Sequence, residues 1–241
     1  KIGLSNVGGL DPVMVEYYEK VGFLPAGLLN ALARIGWSLD ETTELMSLDF
    51  ATQHFSLERV VKGAAGFDPD KLLSYQAHWM SQLSLEDRTA GCLPYLQKAG
   101  LVASEPSDET LRFVGQVVES LADRIKVFSD VLTFDYFFRD EIEYSEKDFK
   151  KRVAKAGVPE LLADFRTVLS DLTDWTAERL EAELQQFCEA RETGAGMLIH
   201  ALRISATGSP TGPGVYDCLV LVGREKTLER IDAAVERART A

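Results

Sequence analysis

The chain has 241 residues, 46% of them hydrophobic and 27% charged, with 26 Lys+Arg against 38 Asp+Glu and a formal net charge of −12. That is ordinary globular composition for one large or two small domains, which bury roughly 70–75% of the unfolded surface without metal or disulfide support. Cys92, Cys188 and Cys218 are far apart and form no C-x-x-C pair, and no apolar run approaches the ~18 residues of a membrane span, so a disulfide framework, a zinc site, secretion and membrane insertion are disfavoured and a cytoplasmic location is expected. The first residue is Lys1 rather than Met, as in a piece of a longer chain.

Helix punctuation dominates from the N-terminus onward. Pro12, Pro25, Pro69 and Pro159 each follow a residue suited to precede a helix, at the position where a missing N–H costs nothing. Ser84-x-x-Asp87 and Ser145-x-x-Asp148 resemble capping boxes with Asp in the acidic place. Gly36, Gly100, Gly157 and Gly194 follow periodic stretches, where a left-handed terminating residue is expected. Between these marks the apolar spacing is helical: Leu28, Leu29, Leu32 and Ile35 share one face, as do Leu111, Val114, Val118, Leu121 and Ile125, and Leu161, Leu162, Phe165, Val168, Leu169 and Leu172. These stripes are expected to be core, and the class is all-α. Seams are placed at Leu83-Ser84 and after the aromatic cluster Phe134, Tyr136, Phe137 and Phe138, giving segments 1–83, 84–138 and 139–241. The stretch from Ala206 to Gly214, dense in glycine, proline and hydroxyls, is the strongest local breaker.

No catalytic constellation is present. The histidines are His54, His78 and His200, none at metal-ligand spacing, and no G-x-S-x-G, P-loop or G-x-G-x-x-G occurs. The carboxylates sit on polar faces and first turns, where solvation explains them. Charge is unevenly spread: residues 194–241 hold six basic and five acidic side chains, and Lys147, Lys150, Lys151, Arg152 and Lys155 interrupt an acidic stretch. Bulk-charge binding of nucleic acid, DNA included, is disfavoured at −12, whereas an RNA binder that reads shape and bases through small basic patches is allowed.

Particular strings then matter more than composition. Gly22-Phe23-Leu24-Pro25-Ala26-Gly27-Leu28-Leu29-Asn30-Ala31-Leu32-Ala33-Arg34-Ile35-Gly36-Trp37-Ser38 resembles the run that follows the signature lysine loop of bacterial-type glutamyl-tRNA synthetases. Phe55-Ser56-Leu57-Glu58-Arg59-Val60 and Phe67-Asp68-Pro69-Asp70-Lys71-Leu72 keep that family's order and spacing, as do His200-Ala201-Leu202-Arg203, Pro213-Gly214-Val215-Tyr216 and Leu221-Val222-Gly223-Arg224-Glu225 near the other end. Similarity is weakest over 100–190.

The resemblance implies a stem-contact helical region at 1–83 followed by two α-helical anticodon-binding domains, 84–138 and 139–241, of a synthetase whose ATP-binding motifs lie outside this chain. No cofactor is implied within the chain; ATP with Mg is implied for the full enzyme, which would attach glutamate to its tRNA. The implied partner is glutamate tRNA, with glutamine tRNA left open, and the implied state is a monomer. Arg124 is the candidate for the third anticodon base, and Arg203, His200, Gly212 and Val215 for the remaining anticodon contacts, with His200 and Gly212 standing where the family has glutamine and threonine. Lys62, Lys71, Lys150 and Lys151 are the candidate stem or phosphate contacts. A non-catalytic all-α scaffold for protein partners and a synthetase paralogue with a retained RNA-binding tail are the alternatives.

Overall fold

The computed structural model describes residues 13–61, 63 and 66–240. Pro12, the first of the proline marks, and Lys62 lie outside the described residues. Among those described, regular structure is helical throughout, and no helix is long and apolar enough to cross a membrane. The chain divides into two compact units, one ending at Thr133 and the other starting at Phe134. Segments 1–83 and 84–133 thus share a unit, and the passage to the next lies inside the helical turn Phe128–Phe137, where Phe134 leaves helical geometry (φ −115°, ψ 32°).

The first unit contains α1 (Val15–Val21), α2 (Pro25–Ala33), α3 (Leu48–His54), α4 (Pro69–Ser81), α5 (Leu85–Lys98) and α6 (Asp108–Leu121). Pro25 and Pro69 open their helices as expected, and Asp68 accepts the N–H groups of Asp70 and Lys71. Ser84 caps α5 by accepting the Asp87 N–H at 3.0 Å while its hydroxyl donates to the Asp87 carboxylate at 2.7 Å. Gly36 and Gly100 adopt the expected positive φ.

The α2 stripe departs from expectation. Leu29, Leu32 and Ile35 are 40%, 47% and 37% exposed, and α2 meets α4 instead through Gly27, Asn30 and Ala31. Small residues permit that approach: a Cβ on Gly27 would lie 2.3 Å from the Gln76 Oε1. Two buried amides then organise the unit. Gln76 accepts the Leu24 N–H at 3.0 Å and donates to the Lys126 carbonyl at 2.9 Å, while Asn30 donates to the Glu44 carbonyl and accepts from the Met46 N–H and the Trp79 indole. Around them Tyr17, Tyr18, Val21, Phe23, Leu72, Tyr75 and Val127 form an apolar cluster. On α6, Val114, Val118 and Leu121 are buried as the stripe predicts, as is Ile125 beyond it, and Leu111 is the exposed member.

The second unit contains α7 (Glu146–Arg152), α8 (Val158–Asp171), α9 (Ala177–Ala190), α10 (Ala195–Thr207), α11 (Val215–Val222) and α12 (Arg224–Thr240). Helix α10 is its axis, packing on α7, α8, α9, α11 and α12. Its Leu198, Ala201, Leu202 and Ile204 join Leu162, Phe165 and Leu169 of α8 and Ile231, Ala234 and Val235 of α12 in one core. Ser145 and Asp148 pair through their side chains at 2.6 Å, but the Ser145 hydroxyl accepts no N–H, so only half of that box forms. Gly157 has the expected positive φ; Gly194 does not, because it begins α10 rather than ending α9, and Glu192 carries the positive φ there (49°). The expected breaker starts at Gly208, with Ala206 and Thr207 still in α10.

Gln76 is completely buried and both its bonds go to backbone groups. Replacing it with leucine strands a donor and an acceptor, so Gln76→Leu is expected to destabilise the first unit by about 2–4 kcal/mol. Urea unfolding followed by tryptophan fluorescence measures this, and an unchanged midpoint would show that water replaces the amide.

Candidate nucleic-acid interface

The loop after α10 is held from below. Arg230, buried on α12, donates to the carbonyls of Ala206 (2.7 Å), Tyr136 (2.9 Å) and Arg139 (2.7 Å), tying the last turn of α10 to the start of the unit. Gly208 then reverses the chain with φ 72°, and a Cβ there would lie 2.0 Å from the Glu143 carbonyl oxygen, so both the conformation and the space require glycine. Its own carbonyl accepts the Ser145 N–H at 2.9 Å.

Arg203, on α10, lies under this loop. It is half-buried, and its Nη1 faces the Cys218 sulfur at 3.7 Å. Cys218 in turn faces the Pro213 carbonyl at 3.8 Å and lies beside the Tyr136 hydroxyl. Gly212 sits over the same group: a Cβ on it would be 2.6 Å from the Tyr136 hydroxyl and 3.2 Å from Arg203 Nη1. A threonine at 212 would need that pair to move, which is a local physical reason for glycine here. Val215 is 5% exposed and part of the core, so its side chain anchors the start of α11.

His200 lies one turn before Arg203 and is exposed. Burial of part of the ring, together with the Arg152 and Arg203 charges, moves its pKa below the usual histidine value. It lines a 450 Å³ cleft with Lys151, Arg152, Lys155, Gly196 and Met197. Lys151 therefore faces the cleft with His200, whereas Lys150 is exposed outside its lining.

In the first unit, Arg124 ends a short turn, Ala122–Arg124, that follows α6. Ala122 takes φ 48° and ψ −116°, a costly conformation for a residue with a Cβ. The turn is fixed on both sides: Arg88 donates to the Ala122 carbonyl, and the Asp130 carboxylate accepts the N–H groups of Lys126 and Val127 at 2.8 and 3.0 Å. Burial raises the pKa of Asp130 while those two N–H groups oppose the rise. The Arg124 side chain is 42% exposed and lies 3.6 Å from Asp123. Lys71 is also exposed, but it is paired with Glu44 at 3.5 Å, so a phosphate there competes with a carboxylate.

The capping serines Ser47 and Ser107, the buried Asn30, Gln76 and Arg230, and the Tyr136–Cys218 contact were not singled out from the sequence. Ser107 followed by an acidic first turn was the readable signal among them. Among the described residues no group of three His, Cys, Asp or Glu side chains is placed to hold a metal ion.

The architecture is that of an all-α recognition module, with a glycine-rich loop held over an arginine and a cationic cleft at the other end of the same helix. A family model described as "Anticodon binding domain" matches residues 88–235, and the chain belongs to that family. The match runs through 100–190, where the motif resemblance is weakest. The chain is 34% identical over 221 residues to the glutamate–tRNA ligase of Moorella thermoacetica, covering 91% of this chain and 45% of that protein, and 33% identical over 226 residues to that of Myxococcus xanthus, covering 92% and 46%. It thus spans just under half the length of these relatives. A crystal structure of a glutamate tRNA ligase from Elizabethkingia meningosepticum in complex with its amino acid superposes with a TM-score of 0.78 at 27% identity, over 91% of this chain and 42% of that one. A glutamate-tRNA synthetase structure from Elizabethkingia anophelis gives 0.75 at 27% identity.

Burial pushes the Cys218 thiol up to about 11 and the Cys92 thiol up to about 12. At pH 8 both are expected to stay protonated and to react with DTNB only as fast as the chain opens. Because an unperturbed thiol titrates near 9, the folded chain holds these protons more tightly than the unfolded chain. Their contribution to stability is full below pH 9 and falls as the pH rises towards 11. A rapidly labelled Cys92 or Cys218 in native protein would contradict this.

Proposed function

We propose that this chain is the tRNA-recognition part of a glutamate–tRNA ligase, with 1–83 meeting the tRNA stem and 84–138 and 139–241 reading the anticodon loop. The observation that carries the reading is similarity to glutamate–tRNA ligases over more than nine-tenths of the chain, with the anticodon-binding family spanning 88–235. The longer protein would attach glutamate to its tRNA in the cytoplasm as a monomer, with glutamine tRNA as a second candidate. ATP and Mg would be used by the remainder of that longer protein.

The physical roles follow from hydrogen-bond inventory. A guanidinium only donates, which suits the O2 and N3 acceptors on the pairing edge of cytosine, whereas guanine presents N–H donors beside O6. Arg124, on a turn braced from both sides, offers such a fork to the third anticodon base. Arg203 offers another beside the 208–214 loop, positioned by Cys218 and covered by a residue without a side chain. Val215 serves by holding the loop's far end, and His200 by presenting an uncharged ring to a base or phosphate. Lys62 and Lys71 would meet the stem.

One observation favours a scaffold reading, the exposed Leu29–Leu32–Ile35 stripe, since unpaired apolar faces serve protein partners. Salt separates the two. Binding of glutamate tRNA is expected to weaken steeply between 50 and 200 mM salt in a phosphate-contacting protein. Binding insensitive to salt, or absent, would favour the scaffold. Arg203→Ala is expected to cost about 1–3 kcal/mol of tRNA affinity at fixed salt. Arg124→Gln exchanges a donor-only fork for a donor and an acceptor, so the preference between tRNAs with C and with G at the third anticodon position is expected to collapse while affinity for the preferred one falls less. Paired dissociation constants at one salt concentration measure both effects; an unchanged ratio would remove Arg124 from the reading of that base.

A further inference from the structure

Pairing separates the cleft beside α7 from most of the other basic side chains of its unit. Arg139, Arg166, Arg179, Arg191, Lys226 and Arg237 each meet a carboxylate, and Arg230 meets three carbonyls. Lys151, Arg152 and Lys155 have no carboxylate within 4.0 Å among the described residues, although the chain as a whole carries a net charge of −12. All three line one cleft of 450 Å³, and its opposite wall, formed by Gly196, Met197 and His200, contains no acidic group. A Cβ at Gly196 would meet nothing within 4 Å, so there is room beside it for a ligand. Three cations held together without a counter-charge repel one another, and an incoming anion relieves that repulsion.

We propose that the cleft between α7 and α10 binds a phosphodiester of the RNA backbone, with Lys151, Arg152 and Lys155 as its cationic contacts and His200 at its edge. The inference rests on the tRNA-binding reading and deepens it by separating a phosphate contact from the base-reading positions. Phosphate suits the site because all three side chains only donate, and because the guanidinium of Arg152 can engage two phosphate oxygens at once. Contacts of this kind fix the register of the nucleic acid and carry no sequence information. The assignment also divides the basic cluster: Lys151 and Lys155 belong to the site, whereas Lys147 and Lys150, next to them in sequence, lie outside its lining.

That division supplies the test. Lys151→Gln/Lys155→Gln and Lys147→Gln/Arg239→Gln remove the same charge from the same unit of the chain, the second pair from exposed positions outside the cleft. At 0.1 M salt the first double variant is expected to weaken glutamate tRNA binding about tenfold and to flatten the slope of log K against log salt by about 2, with little change for the second. Equal losses in the two variants would show that only bulk charge matters, and would overturn the site. The second arm uses inorganic phosphate and the His200 ring signals in NMR. The charges that act on that ring are those of Arg152 and Arg203, and Lys151 and Lys155 line the same cleft. Phosphate is expected to move the His200 signals and raise the ring's pKa in the wild type, and to do neither in Lys151→Gln/Lys155→Gln. An unmoved His200 overturns the proposal. If phosphate moves His200 but the wild-type chain does not bind tRNA, the tRNA-binding reading has failed and the cleft is an anion site without RNA as its ligand.

Discussion

The second unit depends on a single buried guanidinium. Arg230 gives up hydration to meet three backbone carbonyls: one in the last turn of α10, where intrahelical partners run out, and two in the segment that opens the unit. Burial disfavours its charged form, which fits a cation retained for geometry rather than for stability alone. With α10 tied down in this way, Gly208 can turn sharply over the Glu143 carbonyl and the following loop closes over Arg203. Without that tie, the loop's position would rest on the Gly208–Ser145 bond, the local bonds among Thr207, Ser209 and Thr211, and the weak sulfur contacts of Cys218.

The first unit uses a neutral version of the same device. Gln76 and Asn30 are buried amides whose bonds go mostly to backbone groups distant in sequence, so they set how α2, α4 and the 44–46 segment lie against each other. Such contacts are strongly directional and add little net stability, whereas the apolar cluster around them adds stability with little direction. The turn that presents Arg124 is likewise held by side chains acting on backbone, Arg88 on one side and Asp130 on the other.

Local signals were readable from the sequence. Pro25, Pro69 and the Ser84–Asp87 cap depend on neighbours within one turn, and they fall where the pattern puts them. The α8 stripe and most of the α6 stripe are core for the same reason. The Leu29–Leu32–Ile35 stripe shows the limit of periodicity, which identifies an apolar face but not whether another element covers it. Gly194 departs from the expected helix stop because the same residue type can end one helix or start the next. Arg230, Gln76 and Asn30 gave no sequence signal, since their partners lie 14 to 94 positions away. At the candidate site, the basic cluster and Arg203 were visible, but which lysine faces the cleft, the burial of Val215 and the fit of Gly212 against Tyr136 depend on tertiary packing.

Helix α10 also acts as a ruler. It lines the cleft from Gly196 to His200 and carries the arginine-supported loop after its last turn; Gly196 and Gly208 are twelve residues apart, which at 1.5 Å per residue fixes a spacing of about 18 Å. Surface substitutions along it leave that length alone. A single inserted or deleted residue does not: it shifts one end by about 1.5 Å and rotates it by about 100° relative to the other. The helix is therefore a segment where changes of length are costlier than changes of identity, even at positions whose side chains touch nothing.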